Sequence, residues 1–259
     1  MALPLSVAIV CRNNAPTIGR TLDSVRGLAS EIVAVDSGST DQTIPMLEAA
    51  GARIIRSPWL GHVRTKQLAL ESCTHPWILS LDSDESVEPE LARAIDAALT
   101  RNDPTVRGYE LNRKIFYAGR FLQHTYQPEW RLRLVRRGAA AWGGLDPHDK
   151  LSLIEAPGAP ASVSRLSGDL RHDSWTTIAD HLAKQVGHAR ISAESLFKEG
   201  RRTNAARLVI STIGALFKQI VLRAAWRDGW RGIVAAGSAA AGTLMKHAIL
   251  LERQNQAPD

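Results

Sequence analysis

An α/β fold, a mostly parallel sheet flanked by helices with a helical appendage at its C-terminal end, is predicted by three features of this 259-residue sequence. The first hundred residues alternate short apolar runs with segments of helical period. Those runs are apolar throughout rather than at every second position, as strands covered on both faces require. From Trp175 to Glu252 the pattern is helical, with breaks near Gly200 and around "RDGWRG".

Four runs read as strands: "LSVAIVC" (5–11), "EIVAVD" (31–36), "ARIIR" (52–56) and "WILSLD" (77–82). Pro16 begins the first intervening helix. Thr43, as N-cap, and Pro45 open the second, which Gly51 ends, and the third covers about 62–73. Another helix is expected over about 89–100, where Glu85, Glu88 and Glu90 read as acidic decoration of its start. Between Arg107 and Arg165, alternating runs such as "WRLRLVRR" and many Gly and Pro residues predict more strands and long loops, the place for an acceptor site. Residues 1–172 are expected to form the binding and catalytic domain and 173–259 a helical region.

The net charge of +6 is uneven: residues 1–200 carry 23 Lys and Arg against 23 Asp and Glu, and residues 201–259 carry nine against three. Within 208–222, Val209, Ile213, Leu216 and Ile220 share a helical face opposite Arg207, Ser211 and Lys218, and Trp226 and Trp230 lie among Arg223, Arg227 and Arg231. This pattern fits an in-plane helix on an anionic membrane, or a bundle packed on the sheet domain. The longest uncharged stretch there, 232–245, has 14 residues against the roughly 20 that a span needs, so no membrane span is expected. Two scattered cysteines, Cys11 and Cys73, give no disulfide framework and point to a reducing, cytoplasmic setting. The N-terminal run lacks a basic leader and reads as a strand.

Parallel sheets bind ligands beyond the carboxyl ends of their strands. Here those ends carry "CRNN", "DSGSTD" and "DSDE". Asp82 and Asp84 flank one small residue just past the fourth strand, so a turn can aim both at one point. Mg²⁺ or Mn²⁺ takes such oxygen ligands together with substrate phosphates. Gly38 permits a tight loop among Ser37, Ser39, Thr40 and Asp41, and Asp36 at the strand end can accept from a base N–H or a ribose hydroxyl. No G-x-G-x-x-G or Walker pattern supports dinucleotide redox or P-loop chemistry.

In order, "LSVAIVCRNNAPTIGRTLDSV", "EIVAVDSGSTDQT", "GHVRTKQLAL" and "WILSLDSDE" resemble the first half of inverting family 2 glycosyltransferases of GT-A fold. The motifs "YELNRKIFYAGRFLQH", "RLRLVRRG", "PHDK" and "LRHDSW", followed by basic helices, are similar to the lipopolysaccharide inner-core glucosyltransferases of WaaE/KdtX type. The resemblance implies a nucleotide-sugar donor, probed first as a UDP-sugar, a divalent metal and a lipid-linked saccharide acceptor, with no nucleic acid partner. It implies a hexosyltransferase working at the inner face of the cytoplasmic membrane. Carried over, Asn13 and Asp36 contact the nucleotide with Ser39 beside them, Lys66 faces the diphosphate, Asp82 serves the ribose, and Asp84 and His172 hold the metal. Asp149 is the candidate general base, with Glu129 as its rival. Asn14 and Asp149 stand where glutamate is common, and Ser83 replaces a usual alanine. Arg131, Arg133, Arg136 and Arg137 are candidates for acceptor phosphates or for a solvent-facing strand edge. The alternatives are a nucleotidyltransferase, whose Gly-rich, Arg-containing first loop is missing, an aspartate phosphatase, whose D-x-D belongs after an early strand, and a non-catalytic membrane-associated nucleotide-sugar-binding module.

Overall fold

A computed structural model describes residues 3–145, 148–155, 162–175 and 177–256. The chain opens with β1 (Leu3–Cys11), α1 (Ala15–Val25), β2 (Ala29–Asp36), α2 (Thr43–Ala49), β3 (Arg53–Arg56), α3 (His62–Glu71) and β4 (Trp77–Asp82). A short β5 (Glu85–Val87) leads into α4 (Pro89–Arg101). Then come β6 (Val106–Tyr117), β7 (Arg120–Phe121), β8 (Trp130–Arg136), β9 (Ala140–Leu145), β10 (His148–Leu153) and β11 (Ser162–His172). The C-terminal helices are α5 (Ile178–Lys198), α6 (Ala205–Phe217), which continues as a π-helical turn over Lys218–Leu222, and α7 (Trp230–Gln256), preceded by a 3₁₀ turn at Ala225–Asp228.

The main sheet runs β3-β2-β1-β4-β8-β6-β11-β5, with β7 paired to β6, and β9 pairs β10 in a separate two-stranded sheet. From β3 to β4 the strands are parallel. β8 lies antiparallel to β4, with Leu79 opposite Leu134, and β6 antiparallel to β8. This is the mixed, mostly parallel α/β sheet with helical appendage that the sequence predicts.

Successive β1 residues show why its run is apolar throughout. Leu5, Val7, Ile9 and Cys11 pack with Ile18 and Leu22 of α1 and with Leu91 and Ile95 of α4. Ala8 packs on the other face with Ala69 and Leu70 of α3 and with Trp142 and Leu151. Burying Leu, Ile or Val side chains of this kind stabilises by about 1.5–3 kcal/mol each. At Gly168 in β11, φ is +87° and a β-carbon would run into the Leu91 backbone, so the close approach of β11 to α4 requires glycine.

Two helix-end expectations change. Thr43 is the first helical residue and Gln42 takes the cap position. The Thr43 hydroxyl instead accepts the Asn14 N–H at 2.8 Å, while Asp41 accepts the Thr43 N–H at 2.9 Å. Glu85 does not decorate a helix: it lies in β5 and is fully buried.

The described residues divide into two compact units, one built from residues 3–113, 129–144, 148–155 and 162–173, the other from 114–128, residue 145 and the described residues from 174 onward. In the second unit, Asp228 accepts the backbone N–H groups of Gln123, His124 and Thr125 and the Thr125 hydroxyl, at 2.8–3.0 Å. Two helical segments there are long and apolar enough to cross a membrane by length and composition: Ala205–Leu222 and an 18-residue window within Trp230–Gln256. Counting only uncharged residues missed them, because Lys218 and Lys246 interrupt the runs without outweighing their apolar neighbours.

Candidate active site at the strand rim

β2 ends at Asp36, 3% exposed, and its carboxylate shapes the loop that follows. Gly38 and Ser39 donate their N–H groups to Asp36 Oδ2, both at 3.0 Å, and the Ser39 hydroxyl donates to Oδ1. Gly38 has φ +90°, which lets the chain turn back over the strand end. Asn13, past β1 and itself at φ +54°, closes the loop from the other side. Its N–H reaches Ser39 Oγ at 2.9 Å and its side-chain oxygen accepts the Thr40 N–H at 2.8 Å. An open cavity of about 630 Å³ is lined by Asp36 to Asp41, Ile44, Arg56 and Pro58. Asn13, Asp36 and Ser39 thus form one constellation, although Asp36 spends much of its acceptor capacity on its own loop.

Two strands away, β4 delivers Asp82. Lys66 of α3 places its ammonium 2.7 Å from Asp82 Oδ1, and Arg133 of β8 donates to Oδ2 at 2.9 Å. Burial alone would raise the Asp82 carboxyl, but Lys66 and Arg133 override it and hold the group well below the usual carboxylate range. The same lysine lies 2.8 Å from Asp149 Oδ2 on β10, and its ammonium stands 4.6 Å from the centre of the Trp142 ring.

Glu85 extends this network. Its Oε2 accepts the Asp82 N–H at 3.0 Å, and its Oε1 takes Arg133 at 2.7 Å and Arg113 at 3.3 Å. Arg113 also grips Glu129 through two bonds of 2.8 and 3.0 Å, and Arg131 adds two more at 2.7 and 3.2 Å. Burial pushes the Glu129 carboxyl up, yet the two arginines bring it down to about 2. Arg136 turns away to Asn102, Asp103 and the Val106 carbonyl. The alternating arginines of β8 therefore split between internal ion pairs and a loop brace. Glu85 escaped the sequence reading because an acidic run before a helix looks like surface, and its only signal was its place three residues after the end of a buried strand.

Asp84 points elsewhere. Its Oδ2 stands 3.5 Å from His172 Nε2 at the end of β11, and its backbone oxygen accepts the Asp173 N–H at 2.8 Å. Burial raises the Asp84 carboxyl and the His172 imidazole more than offsets it, leaving it lowered. The other ring nitrogen, His172 Nδ1, is buried and has no hydrogen-bond partner among the described residues. No group of three or more His, Cys, Asp or Glu side chains converges as a metal cage among the described residues. A carboxylate and an imidazole fit a divalent ion that takes its other ligands from phosphates and water, as Mg²⁺ and Mn²⁺ do. The imidazole suits Mn²⁺ better than Mg²⁺.

The carboxyl-end rim of the sheet thus presents a carboxylate loop beside an Asp-x-Asp turn, an arrangement open to a ligand beyond the strand ends. Residues 6–141, more than half of the sequence, match the family Glycosyl transferase family 2, and the chain belongs to that family. The enzyme is therefore a family 2 glycosyltransferase, which removes the nucleotidyltransferase, phosphatase and non-catalytic alternatives. It is similar to the lipopolysaccharide core biosynthesis glycosyltransferase LpsC of Rhizobium meliloti, 29% identical over 97% of this chain and 93% of that protein. It is also similar to the uncharacterized glycosyltransferase RP128 of Rickettsia prowazekii, 27% identical over 89% of this chain and 80% of that protein. Among solved structures, Staphylococcus aureus TarS 1-349 aligns with 100% of this chain and 93% of its own at 15% identity and a TM-score of 0.49. Glucosyl-3-phosphoglycerate synthase from Mycobacterium tuberculosis, solved with Mn²⁺, uridine diphosphate and glucosyl-3-phosphoglycerate, aligns with 78% of this chain and 82% of its own at 18% identity and a TM-score of 0.47.

Proposed function

We propose that the chain transfers a hexose from a UDP-linked nucleotide-sugar to a lipid-anchored saccharide, of the lipopolysaccharide inner-core type, by metal-assisted inverting displacement. The observation that carries this reading is the Asp84–His172 pair, 3.5 Å apart beside the strand ends and paired to each other rather than absorbed into the arginine network. The similarity to LpsC, a lipopolysaccharide core biosynthesis glycosyltransferase, supports the acceptor class.

In this reading Asn13, Asp36 and Ser39 cradle the nucleotide, Asp82 meets the ribose, Lys66 faces the diphosphate, and Asp84 with His172 holds Mn²⁺ or Mg²⁺. The ion, when bound, neutralises charge on the departing diphosphate as a Lewis acid. The acceptor hydroxyl loses its proton to a carboxylate as its oxygen attacks the anomeric carbon. Asp149 suits that task better than Glu129, whose four arginine bonds make it a weak base. In the same reading the basic C-terminal helices rest on an anionic membrane surface, at the inner face of the cytoplasmic membrane.

Calorimetry with UDP-sugars, with and without Mn²⁺, followed by a donor screen on core-truncated lipopolysaccharide, tests the reading. Metal-dependent donor binding and a glycosylated lipid product are expected. Donor binding indifferent to metal would remove Asp84 and His172 from their role.

A further inference from the structure

Lys66 holds one carboxylate on the donor side of the rim and one on the acceptor side. Its ammonium is 2.7 Å from Asp82 Oδ1 and 2.8 Å from Asp149 Oδ2, and the residue is 8% exposed. Of its three protons, two are engaged, leaving one for a third partner. The Trp142 ring lies 4.6 Å from the ammonium and is itself 7% exposed, with its indole N–H unpartnered among the described residues. Trp142 is tied back to the same helix, since its backbone N–H donates to Gln67, the neighbour of Lys66, at 2.9 Å.

We infer that Lys66 is a positioning residue that makes proton acceptance by Asp149 conditional on the donor's diphosphate. This rests on the reading above, in which Asp149 is the base. Paired with Lys66, Asp149 cannot accept a proton without giving up its charge-assisted bond and leaving Asp82 as the ammonium's one remaining carboxylate partner among the described residues, which opposes protonation. A diphosphate oxygen arriving at the rim is a stronger partner for the ammonium. As the ammonium shifts toward it, Asp149 is released to take the proton of the acceptor hydroxyl. The acceptor oxygen then bonds to the anomeric carbon while the bond from that carbon to the diphosphate breaks, and the nucleoside diphosphate leaves. Asp82 keeps Arg133, at 2.9 Å, throughout.

Under this arrangement Asp149 and the diphosphate compete for one ammonium. Asp149→Asn should therefore bind UDP with Mn²⁺ more tightly than the wild type, by on the order of tenfold if one charge-assisted bond is exchanged. Lys66→Met should lose donor affinity, and in Lys66→Met/Asp149→Asn the gain should vanish. Calorimetry on the full-length protein reads all three, and the double variant restores the charge balance if Lys66→Met alone unfolds. An Asp149→Asn affinity equal to that of the wild type, or the same gain with Met at position 66, overturns the inference. Failure of the wild type to bind UDP at all overturns the donor reading instead.

Discussion

Beneath the strand rim acidic and basic side chains pair with one another: Asp82, Glu85, Glu129 and Asp149 are held by Lys66, Arg113, Arg131 and Arg133. In the helical unit the buried polar groups are neutral. His181 stacks on Trp175, with ring centres 3.7 Å apart, and meets Ser238 at 2.6 Å, while His247 meets Thr203 at 3.0 Å. The helical unit also carries its apolar side chains outside, with Ile210 and Leu222 each 70% exposed. A charged interior is costly unless every ion is paired, and replacing such pairs by apolar residues is often stabilising. Its presence at the rim is the signature of a site that handles charge; the neutral interior and apolar exterior of the other unit suit a scaffold that meets an apolar phase.

The sharpest break of this comparison comes at the rim. Asp84→Ala should lower turnover by on the order of 10³-fold or more, as loss of electrostatic stabilisation of a leaving group does, while the melting temperature stays near that of the wild type. Retained turnover would strip Asp84 of its assigned role. Asp149→Asn should lower kcat by about 10²–10⁴-fold, the usual worth of a general base. If Glu129→Gln alone has that effect, the base is Glu129.

Glu129→Gln should otherwise act on stability. Burial opposes its ionisation, but Arg113 and Arg131 carry the carboxyl from 4.5 down to about 2. A carboxyl lowered on folding stabilises above its unfolded value and loses that contribution as pH falls. The variant should therefore be less stable than wild type by about 3 kcal/mol above pH 4.5, at about 1.4 kcal/mol per pKa unit, and the gap should close towards pH 2. Urea unfolding across that range measures it. A gap that persists at pH 2 would mean that the arginines hold Glu129 by shape rather than charge.

The neutral interior titrates in a different window. Burial, with His188 and Lys184 nearby, lowers His181 from 6.5 to about 4. A histidine depressed on folding stabilises fully above pH 6.5 and loses that contribution as pH falls towards 4, because the unfolded chain takes up the proton first. The helical signal should weaken across pH 6.5 to 4 by up to about 3 kcal/mol, and His181→Gln should flatten that slope. Two separate acid transitions in circular dichroism would show the units responding in turn.

How far each region was legible in the sequence follows the same divide. Three of the four parallel strands, β1, β2 and β4, were readable because their runs are buried on both faces, so β1 is apolar at Leu5, Val7, Ala8 and Ile9 alike. The loop after Asp36 was readable because Gly38 and short polar residues admit few conformations. Pairings that cross the sheet were not. Nothing local says that Lys66, in a helix, will reach Asp149 83 positions later, or that Glu85 will sit under two arginines. Asp228 likewise looks like one acidic residue in a basic turn, yet it anchors a loop more than a hundred positions earlier. Strand burial is encoded in contiguous pattern, whereas counter-ion choice is settled only once distant elements pack.

The smallest effect tests whether the exposed side chains of the helical unit meet lipid through apolar contact or through charge alone. Phe217, Leu222 and Trp226 are 53%, 70% and 61% exposed, with Lys218, Arg223 and Arg227 interleaved among them. Each cation near an anionic surface adds about 1 kcal/mol, an attraction that salt screens. Insertion of the apolar groups is insensitive to salt. Replacing Phe217, Leu222 and Trp226 together by Ser should leave sedimentation with phosphatidylserine vesicles at low salt weakened by on the order of tenfold, and abolish the part that survives 0.5 M salt, roughly where the Debye length falls below 5 Å. Wild-type binding lost entirely in salt would leave only the charges in play, and the apolar exterior would then need another partner to cover it.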